Sequence, residues 1–353
     1  MLRAVLTPFS IVTLAAIVLA AATPRAQLPN ERMRAFLRDQ IGFSASDINA
    51  VTSGRAVARQ MKVNDPADVN IFGAVKIAAP ADNYLRQLRS IDVYERKMHI
   101  LQVGKFHDPP ELADLNSLTL DVDDITALRT CQPHDCKIQL SAAAMTAFRT
   151  QIDWKARDAA DRANVMFRRM LFDILQTYRL GGSSALGFYD DYEVPANLAA
   201  EFKILSAPGD LPIAVPALTS YLTNYPSMPN GQPEDFFYWN KGDFGLKATT
   251  RLNHVSIWPL APALTAGTSI KYLVATKQIY SNHYFSSTLE LRTIVDDESQ
   301  PGKACYLLYT TKSRVTGLTG FIGSIIRTIV RSKARSGMEG YLAGTKRTVE
   351  AAK

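Results

Sequence analysis

The sequence predicts an α+β fold in which an antiparallel sheet grips a long C-terminal helix, with a large, mainly helical insertion. Residues 69–79 alternate between apolar and other side chains, as a half-buried strand does. Three more strand-like runs follow one another at 248–258, 269–295 and 303–315. Because consecutive strands joined by short turns pair antiparallel, these runs predict a meander. Apolar residues at helical spacing then continue towards the C-terminus and predict the final helix.

Residues 1–26 have the pattern of a secretory signal peptide. Arg3 supplies a positive charge, an apolar run follows from Phe9 to Ala22, and Ala20 and Ala22 form an A-x-A cleavage pattern. A second cleavage position lies after Ala26. The apolar run is shorter than the roughly 20 residues that span a bilayer, although an uncleaved anchor is the alternative. We therefore expect a protein that is periplasmic or secreted after cleavage.

The composition is that of an ordinary globular protein. The 353 residues are 47% hydrophobic and 21% charged, which suits one large domain or two. The formal net charge is +7, and removal of the two arginines in residues 1–26 leaves +5. No long run of Lys and Arg with interleaved aromatic residues occurs, which argues against a nucleic-acid partner.

Cys131 and Cys136 lie close together in the sequence, and the third cysteine, Cys305, is far away. In an oxidising compartment such a close pair predicts a disulfide. Metal binding with His134 as a third ligand is an alternative, as are free thiols, but no second cysteine pair completes a metal site. Cys305 lies in a strand-like run and is expected to be a buried thiol. We expect no metal and no cofactor.

The segments between the first strand and the meander predict mainly helices and loops. Helical pieces are expected before residue 68, and a helix follows Pro80. Residues 105–140 are rich in Pro and Asp and predict loops stapled by the disulfide. Residues 141–180 predict one long helix that stops at two glycines, and residues 190–235 predict a Pro-rich lid or connector.

The alternation along the meander assigns side chains to faces. Val274, Thr276, Gln278 and Tyr280 are predicted on one face of their strand. Two more faces are predicted from the same alternation. They consist of His283, Phe285, Ser287, Leu289, Leu291 and Val295 on the next strand, and Cys305, Leu307, Tyr309, Thr311 and Val315 on the last.

This order of elements resembles the START-like (Bet v 1-like, helix-grip) superfamily of lipid-transfer and polyketide-cyclase proteins. The resemblance rests on residues 69–91 and on roughly 236–350, with 105–235 as an insertion. The stretch from Tyr280 to Phe285, with Arg314 and a glycine-rich helix entry, also resembles a group of bacterial secreted proteins without a known activity. The resemblance implies an apolar cavity between sheet and final helix, and it supplies no catalytic motif.

The predicted organisation is therefore a signal peptide (1–26), an N-terminal helical segment (27–68) and a START-like α+β domain (69–350) with the insertion.

Histidine offers the main candidate chemistry. His254 and His283 lie on predicted strands, and both imidazoles are expected to face one cavity, as head-group ligands or as acid–base groups. Structural histidines are the alternative. No H-E-x-x-H pair and no G-x-S-x-G elbow occurs. Glycines at 317, 320 and 323 do not match a phosphate-binding loop and favour a closely packed helix start.

These observations predict an exported binding protein for a hydrophobic or lipid-like small molecule held between the sheet and the C-terminal helix. The expected ligand-binding residues are His254, His283, Tyr284, Arg314, Trp239 and Tyr280. The same aromatic residues also suit an ordinary core. Basic residues on the last helix predict a weak contact with an anionic membrane surface or a solvated face.

Two alternatives belong to other classes of function. The first is an enzyme that uses the same cavity with His254 or His283 as base. The second is an envelope interaction protein that binds a partner through the Pro-rich segment 195–235.

Overall fold

The computed structural model describes residues 30–98, 100–207, 216–227, 233–243, 247–259, 270–315 and 320–352, without the side chains of 216, 217, 219, 259 and 320–330. The predicted signal peptide and Gly317 lie outside the described residues. The prediction for the Pro-rich segment 195–235 falls only partly within them.

Ten strands are found in the described part of the chain. They are β1 (Val57–Gln60), β2 (Asp68–Ile77), β3 (Gln102–Lys105), β4 (Phe188–Tyr189), β5 (Ala196–Asn197), β6 (Glu234–Asp243), β7 (Ala248–Pro259), β8 (Ile270–Ser281), β9 (Phe285–Asp296) and β10 (Cys305–Val315). The predicted first strand and the predicted meander are confirmed as β2 and β6–β10.

The helices described are α1 (Glu31–Ala35), α2 (Ala45–Thr52), α3 (Ala81–Arg89), α4 (Ile91–Arg96), α5 (Val122–Leu128), α6 (Ala142–Gln151), α7 (Ala159–Gly181), α8 (Leu198–Leu205), α9 (Pro216–Asn224) and α10 (Gly320–Ala351). A π-helical turn at Phe36–Gln40 continues α1, and 3₁₀ turns lie at Leu112–Leu115 and Gly182–Ala185. The fold is α+β, as predicted, with a C-terminal helix of 32 residues.

Eight strands form one antiparallel sheet in the order β1-β2-β10-β9-β8-β7-β6-β3. The meander runs through β6–β10, and the early strand β2 pairs with the last strand, β10, so that Val75 lies opposite Leu307. Strand β3 joins the other end of the meander by pairing with β6. The strands β4 and β5 form a separate hairpin.

The sheet has helices on both faces, because alternate side chains of each strand point to opposite sides. We call the face covered by α3, α4 and α10 the inner face; its core includes Val75, Val274 and Leu307. We call the other face, covered by α1, α2 and α5–α9, the outer face. The segment between β3 and β6 supplies α5–α9, so most of this helical cover comes from one stretch of the chain.

The helix α10 packs closely on β2 at Gly73. A Cβ built at this position would lie 2.6 Å from Cδ1 of Leu342 and 2.7 Å from Cγ of Met338, and both of those side chains are buried. A side chain on residue 73 would therefore separate the helix from the sheet.

The disulfide prediction is confirmed, since Cys131 and Cys136 are bonded in the loop before α6. Cys305 is wholly buried, also as predicted, and burial raises the pKa of its thiol to about 12.

Some predictions about individual elements are wrong. The single helix expected over 141–180 is two helices, because the backbone turns extended at Ile152 and α7 starts only at Ala159. Tyr280 leaves the face of Val274 because the β7–β8 register shifts between Leu252 and Asn253, which sends Tyr280 to the outer face.

Candidate functional site

A fully buried group of charged and polar side chains lies on the inner face of the sheet. We call it the arginine–glutamate cluster; its members are Glu95, Arg251, Glu290, Arg292 and Tyr309. Glu290 and Arg292 are two residues apart on β9, so the strand alternation points both to the same side. Arg251 reaches them from β7, and Tyr309 reaches them from β10.

Glu290 is the centre of the cluster. Its Oε1 accepts a hydrogen bond from Nη1 of Arg251 at 3.1 Å. Its Oε2 accepts from Nη2 of Arg292 at 2.7 Å and from the hydroxyl of Tyr309 at 2.7 Å. Charge-assisted bonds of this kind are about twice as strong as neutral ones, so they fix both guanidinium groups against the sheet.

Glu95 connects the helical layer to the same cluster. It lies on α4, and its Oε1 accepts from the hydroxyl of Tyr341 on α10 at 3.1 Å. Its Oε2 accepts from Nδ2 of Asn240 on β6 at 3.4 Å. One carboxylate thus links two helices and the sheet.

The two carboxylates of the cluster differ in their electrostatics. Burial raises the pKa of Glu95 and outweighs the attraction of Arg292. Burial acts in the same direction on Glu290, but there Arg292 and Arg251 together outweigh it and hold the pKa low. The pKa values of the two buried carboxylates are therefore shifted in opposite directions, because only Glu290 lies between both guanidinium groups.

Several buried polar atoms near the cluster have no hydrogen-bond partner. They are Nε of Arg292, Nδ2 of Asn253, Oε1 of Gln278 and the hydroxyl of Tyr84. Asn253 and Gln278 lie opposite each other on β7 and β8, on the face shared with Thr276, which accepts a hydrogen bond from Nη1 of Arg292 at 2.8 Å. Each unpaired buried group costs about 1–3 kcal/mol. The inner face therefore contains donors and acceptors that a bound molecule would satisfy.

Neither a known protein family nor a curated protein matches this chain. The site must therefore be interpreted from its own geometry.

Three of the predicted ligand-binding residues lie on the outer face instead of facing α10. His254 is wholly buried, with Nδ1 at 3.0 Å from the hydroxyl of Tyr178 and Nε2 at 3.2 Å from Oδ1 of Asp235. Burial lowers the pKa of His254 and outweighs the attraction of Asp235. Trp239 and Tyr280 belong to the core beneath α7.

The other three lie near the ends of strands. Nε2 of His283 is 3.1 Å from each carboxylate oxygen of Asp124 on α5. Arg314 forms ion pairs with three carboxylates, at 3.0 Å to Asp65, 2.9 Å to Asp68 and 2.6 Å to Glu201.

Tyr284 adopts a left-handed backbone with φ of 62° and packs against the inner-face core. Tyr284 is the one predicted aromatic ligand residue that packs against the inner-face core, because Trp239 and Tyr280 belong to the outer-face core.

The expectation that both imidazoles face one cavity is wrong. His254 contacts aromatic rings and Asp235 beneath α7 and α9, whereas His283 contacts Asp124 on α5. The two histidines therefore have separate partners, and neither takes part in the arginine–glutamate cluster.

No residue of the arginine–glutamate cluster was among the predicted ligand-binding residues, although Tyr309 was predicted on one face of the last strand. The available signal was the run Leu289-Glu290-Leu291-Arg292, in which two charged residues alternate with apolar ones inside a predicted strand. Such a pattern also fits a solvated face, because the sequence does not say that helices cover both sides of the sheet.

The described residues offer neither a metal site nor a membrane-spanning helix. They contain no group of three or more His, Cys, Asp and Glu side chains placed to hold a metal ion. Within the same ranges, no helix has the length and apolar character needed to cross a bilayer.

Proposed function

We propose that this protein is an exported binding protein for a small amphipathic molecule that lies between the inner face of the sheet and α10. The anionic group of this molecule, such as a carboxylate, meets Arg292 and Asn253. Its apolar part lies along the inner-face core.

The fold supports this proposal. In the START-like superfamily that the sequence resembles, the first strand is followed by two helices, and the last strand by a long helix on the sheet. Here β2 is followed by α3 and α4, β2 pairs with β10, and α10 contacts β2 at Gly73. We propose that the chain has the helix-grip arrangement and that α5–α9 are an insertion in it.

The observation that carries the proposal is the incompletely hydrogen-bonded arginine–glutamate cluster, which lies beside the apolar residues of the inner-face core. A buried charge is retained only where something pairs with it. Glu290 already accepts bonds from both arginines and from Tyr309, so its oxygens are used. An anion that accepts from Nε of Arg292 and Nδ2 of Asn253 would satisfy two unpaired buried donors.

The apolar part of the ligand has suitable surroundings. Val255, Val274 and Leu307 lie on the same face of the sheet, and Met338 and Leu342 approach it from α10. Ligand sites are mostly apolar with a few placed polar groups, which is the composition found here.

A titration with laurate tests the proposal. We expect saturable binding by the mature protein and at least a tenfold loss of affinity in Arg292→Met, since a hydrogen bond to a charged group contributes about 1.5–3 kcal/mol. Asn253→Leu removes an unpaired buried amide without breaking an existing bond, so this variant is expected to fold and to bind more weakly.

The matched control is Arg169→Met, which removes an arginine with 61% exposure on α7. Laurate affinity in the control should equal that of the unmodified protein. Equal affinity in all four proteins, or no binding in any, would contradict the proposed site.

A further inference from the structure

A second buried group of polar side chains lies on the outer face, around Lys277 of β8. Lys277 is wholly buried. Its Nζ contacts Oγ of Ser183 and donates to the carbonyl oxygen of Leu222 at 3.0 Å. The ring centroids of Phe202 and Tyr178 lie 3.8 Å and 5.1 Å from Nζ, respectively. Within the described ranges no carboxylate is within ion-pair distance of this amine, which is unusual for a buried lysine.

These surroundings favour the neutral amine. Burial lowers the pKa of Lys277 to about 7. The charged amine donates to both Leu222 and Ser183. The neutral amine has two N–H groups and one lone pair, and this lone pair can accept a hydrogen bond from the hydroxyl of Ser183. A lysine in this state is a base that activates a neighbouring hydroxyl.

The backbone holds Ser183 firmly in this place. Ser183 belongs to the 3₁₀ turn Gly182–Ala185 that follows α7, and it is 6% exposed. Gly182 has φ of 62°, and a Cβ there would lie 1.7 Å from the carbonyl oxygen of Tyr225. Only glycine fits at this position, which brings the turn against the segment after α9.

We propose that Ser183 and Lys277 form a nucleophile and base pair that accepts the acyl group of uncharged, apolar esters. Oγ of Ser183 attacks the carbonyl carbon while its proton passes to Nζ of Lys277. The tetrahedral intermediate then expels the alcohol, which takes that proton from Lys277. Water next attacks the acyl-serine with Lys277 as base, and the carboxylic acid leaves as Ser183 regains its proton.

The neighbouring side chains indicate the class of substrate. The aromatic rings of Tyr178 and Phe202 lie beside Nζ, so these surroundings favour an apolar acyl group over a charged one. His254 lies opposite Lys277 on β7 and holds the hydroxyl of Tyr178. We assign His254 as a positioning residue, because its polar partners are Tyr178, Asp235 and Ser256 and include neither Ser183 nor Lys277.

Covalent labelling with diisopropyl fluorophosphate tests this pair. We expect one label per molecule, located at Ser183 by peptide mass mapping and absent in Ser183→Ala. The labelling rate should fall at least tenfold in Lys277→Met. This variant is expected to remain folded, because it replaces a buried amine that has no carboxylate partner with an apolar side chain of similar length.

Ser184→Ala is the matched control, because Ser184 is the exposed neighbour in the same turn and should leave labelling unchanged. Absence of labelling in the unmodified protein would overturn the proposal. So would a label that persists in Ser183→Ala, or an equal rate in a folded Lys277→Met. None of these outcomes bears on laurate binding, since the inner face lies on the opposite side of the sheet.

Discussion

Replacement of Lys277 by methionine should stabilise the protein, and the gain should depend on pH. In the unfolded chain this amine has a pKa of 10.5, whereas burial lowers its pKa in the folded protein to about 7. Between these two values the unfolded state binds more protons than the folded state. The stability of the unmodified protein therefore rises with pH across this window.

The size of the effect follows from the difference between the two pKa values. At about 1.4 kcal/mol per pKa unit, the charged amine costs the folded protein about 5 kcal/mol at pH 6 and about 2 kcal/mol at pH 9. Loss of the contacts with Ser183 and Leu222 offsets part of this gain, but that loss does not vary with pH. The stabilisation by Lys277→Met should thus shrink by about 3 kcal/mol from pH 6 to pH 9.

Urea unfolding of both proteins at the two pH values measures this difference. The control is Lys303→Met, which removes an exposed lysine from the turn before β10 and should give the same small effect at both pH values. An equal stability change for Lys277→Met at pH 6 and pH 9 would refute the reasoning, because it would mean that the folded state does not disfavour the charged amine.

Three further predictions concern other parts of the fold. Gly73→Val should cost about 1–3 kcal/mol in urea unfolding, the usual penalty for overpacking, because its side chain would collide with Leu342 on α10. The control is Gly340→Val, at an exposed position of α10 where a built Cβ meets no neighbouring side chain. The amide hydrogens of α10 should exchange faster in Gly73→Val than in this control, and equal rates would contradict the packing. Glu95→Gln should be more stable than the unmodified protein at pH 7 but not at pH 4. Burial raises the pKa of Glu95, so the folded protein is destabilised as the pH rises and this carboxyl group must ionise, whereas glutamine stays neutral. Thermal unfolding at both pH values measures the difference, and a larger gain in stability at pH 4 than at pH 7 would contradict it. Replacement of both Cys131 and Cys136 by serine should cost about 2 kcal/mol, the loop-closure value for so short a loop, and denaturant midpoints unchanged by the double substitution would contradict it.

The elements that the sequence predicted well are those set by local periodicity. Strand β2 shows period-two alternation, and the predicted face of β10 is found as Cys305, Leu307, Tyr309 and Val315 in the inner-face core. The pair Cys131 and Cys136 is separated by five positions and needs no tertiary information to be recognised.

The features that could not be predicted from the sequence depend on contacts between distant segments of the chain. The break between α6 and α7 contains neither proline nor glycine, so the helical pattern gave no reason to stop. The register shift that turns Tyr280 outwards is a property of two paired strands, since it appears only when β7 and β8 are aligned.

The arginine–glutamate cluster could not be predicted for the same reason. Arg251 and Glu290 are 39 residues apart, and Glu95 and Asn240 are 145 apart. Their proximity follows from the strand order and from the position of α4, which local periodicity does not encode. Five of the six predicted ligand-binding residues were chosen for aromatic or imidazole chemistry, and the sixth was Arg314, whereas the inner face presents the guanidinium and amide groups of other residues.

The most direct test of the central claim is native mass spectrometry of the mature protein purified from the compartment in which it accumulates, followed by organic extraction. We predict a bound apolar molecule with an anionic group in the unmodified protein and its loss in Arg292→Met, with Arg169→Met retaining it. A ligand-free mass for the unmodified protein, or equal occupancy in Arg292→Met, would contradict the claim that the arginine–glutamate cluster holds an anionic ligand against α10.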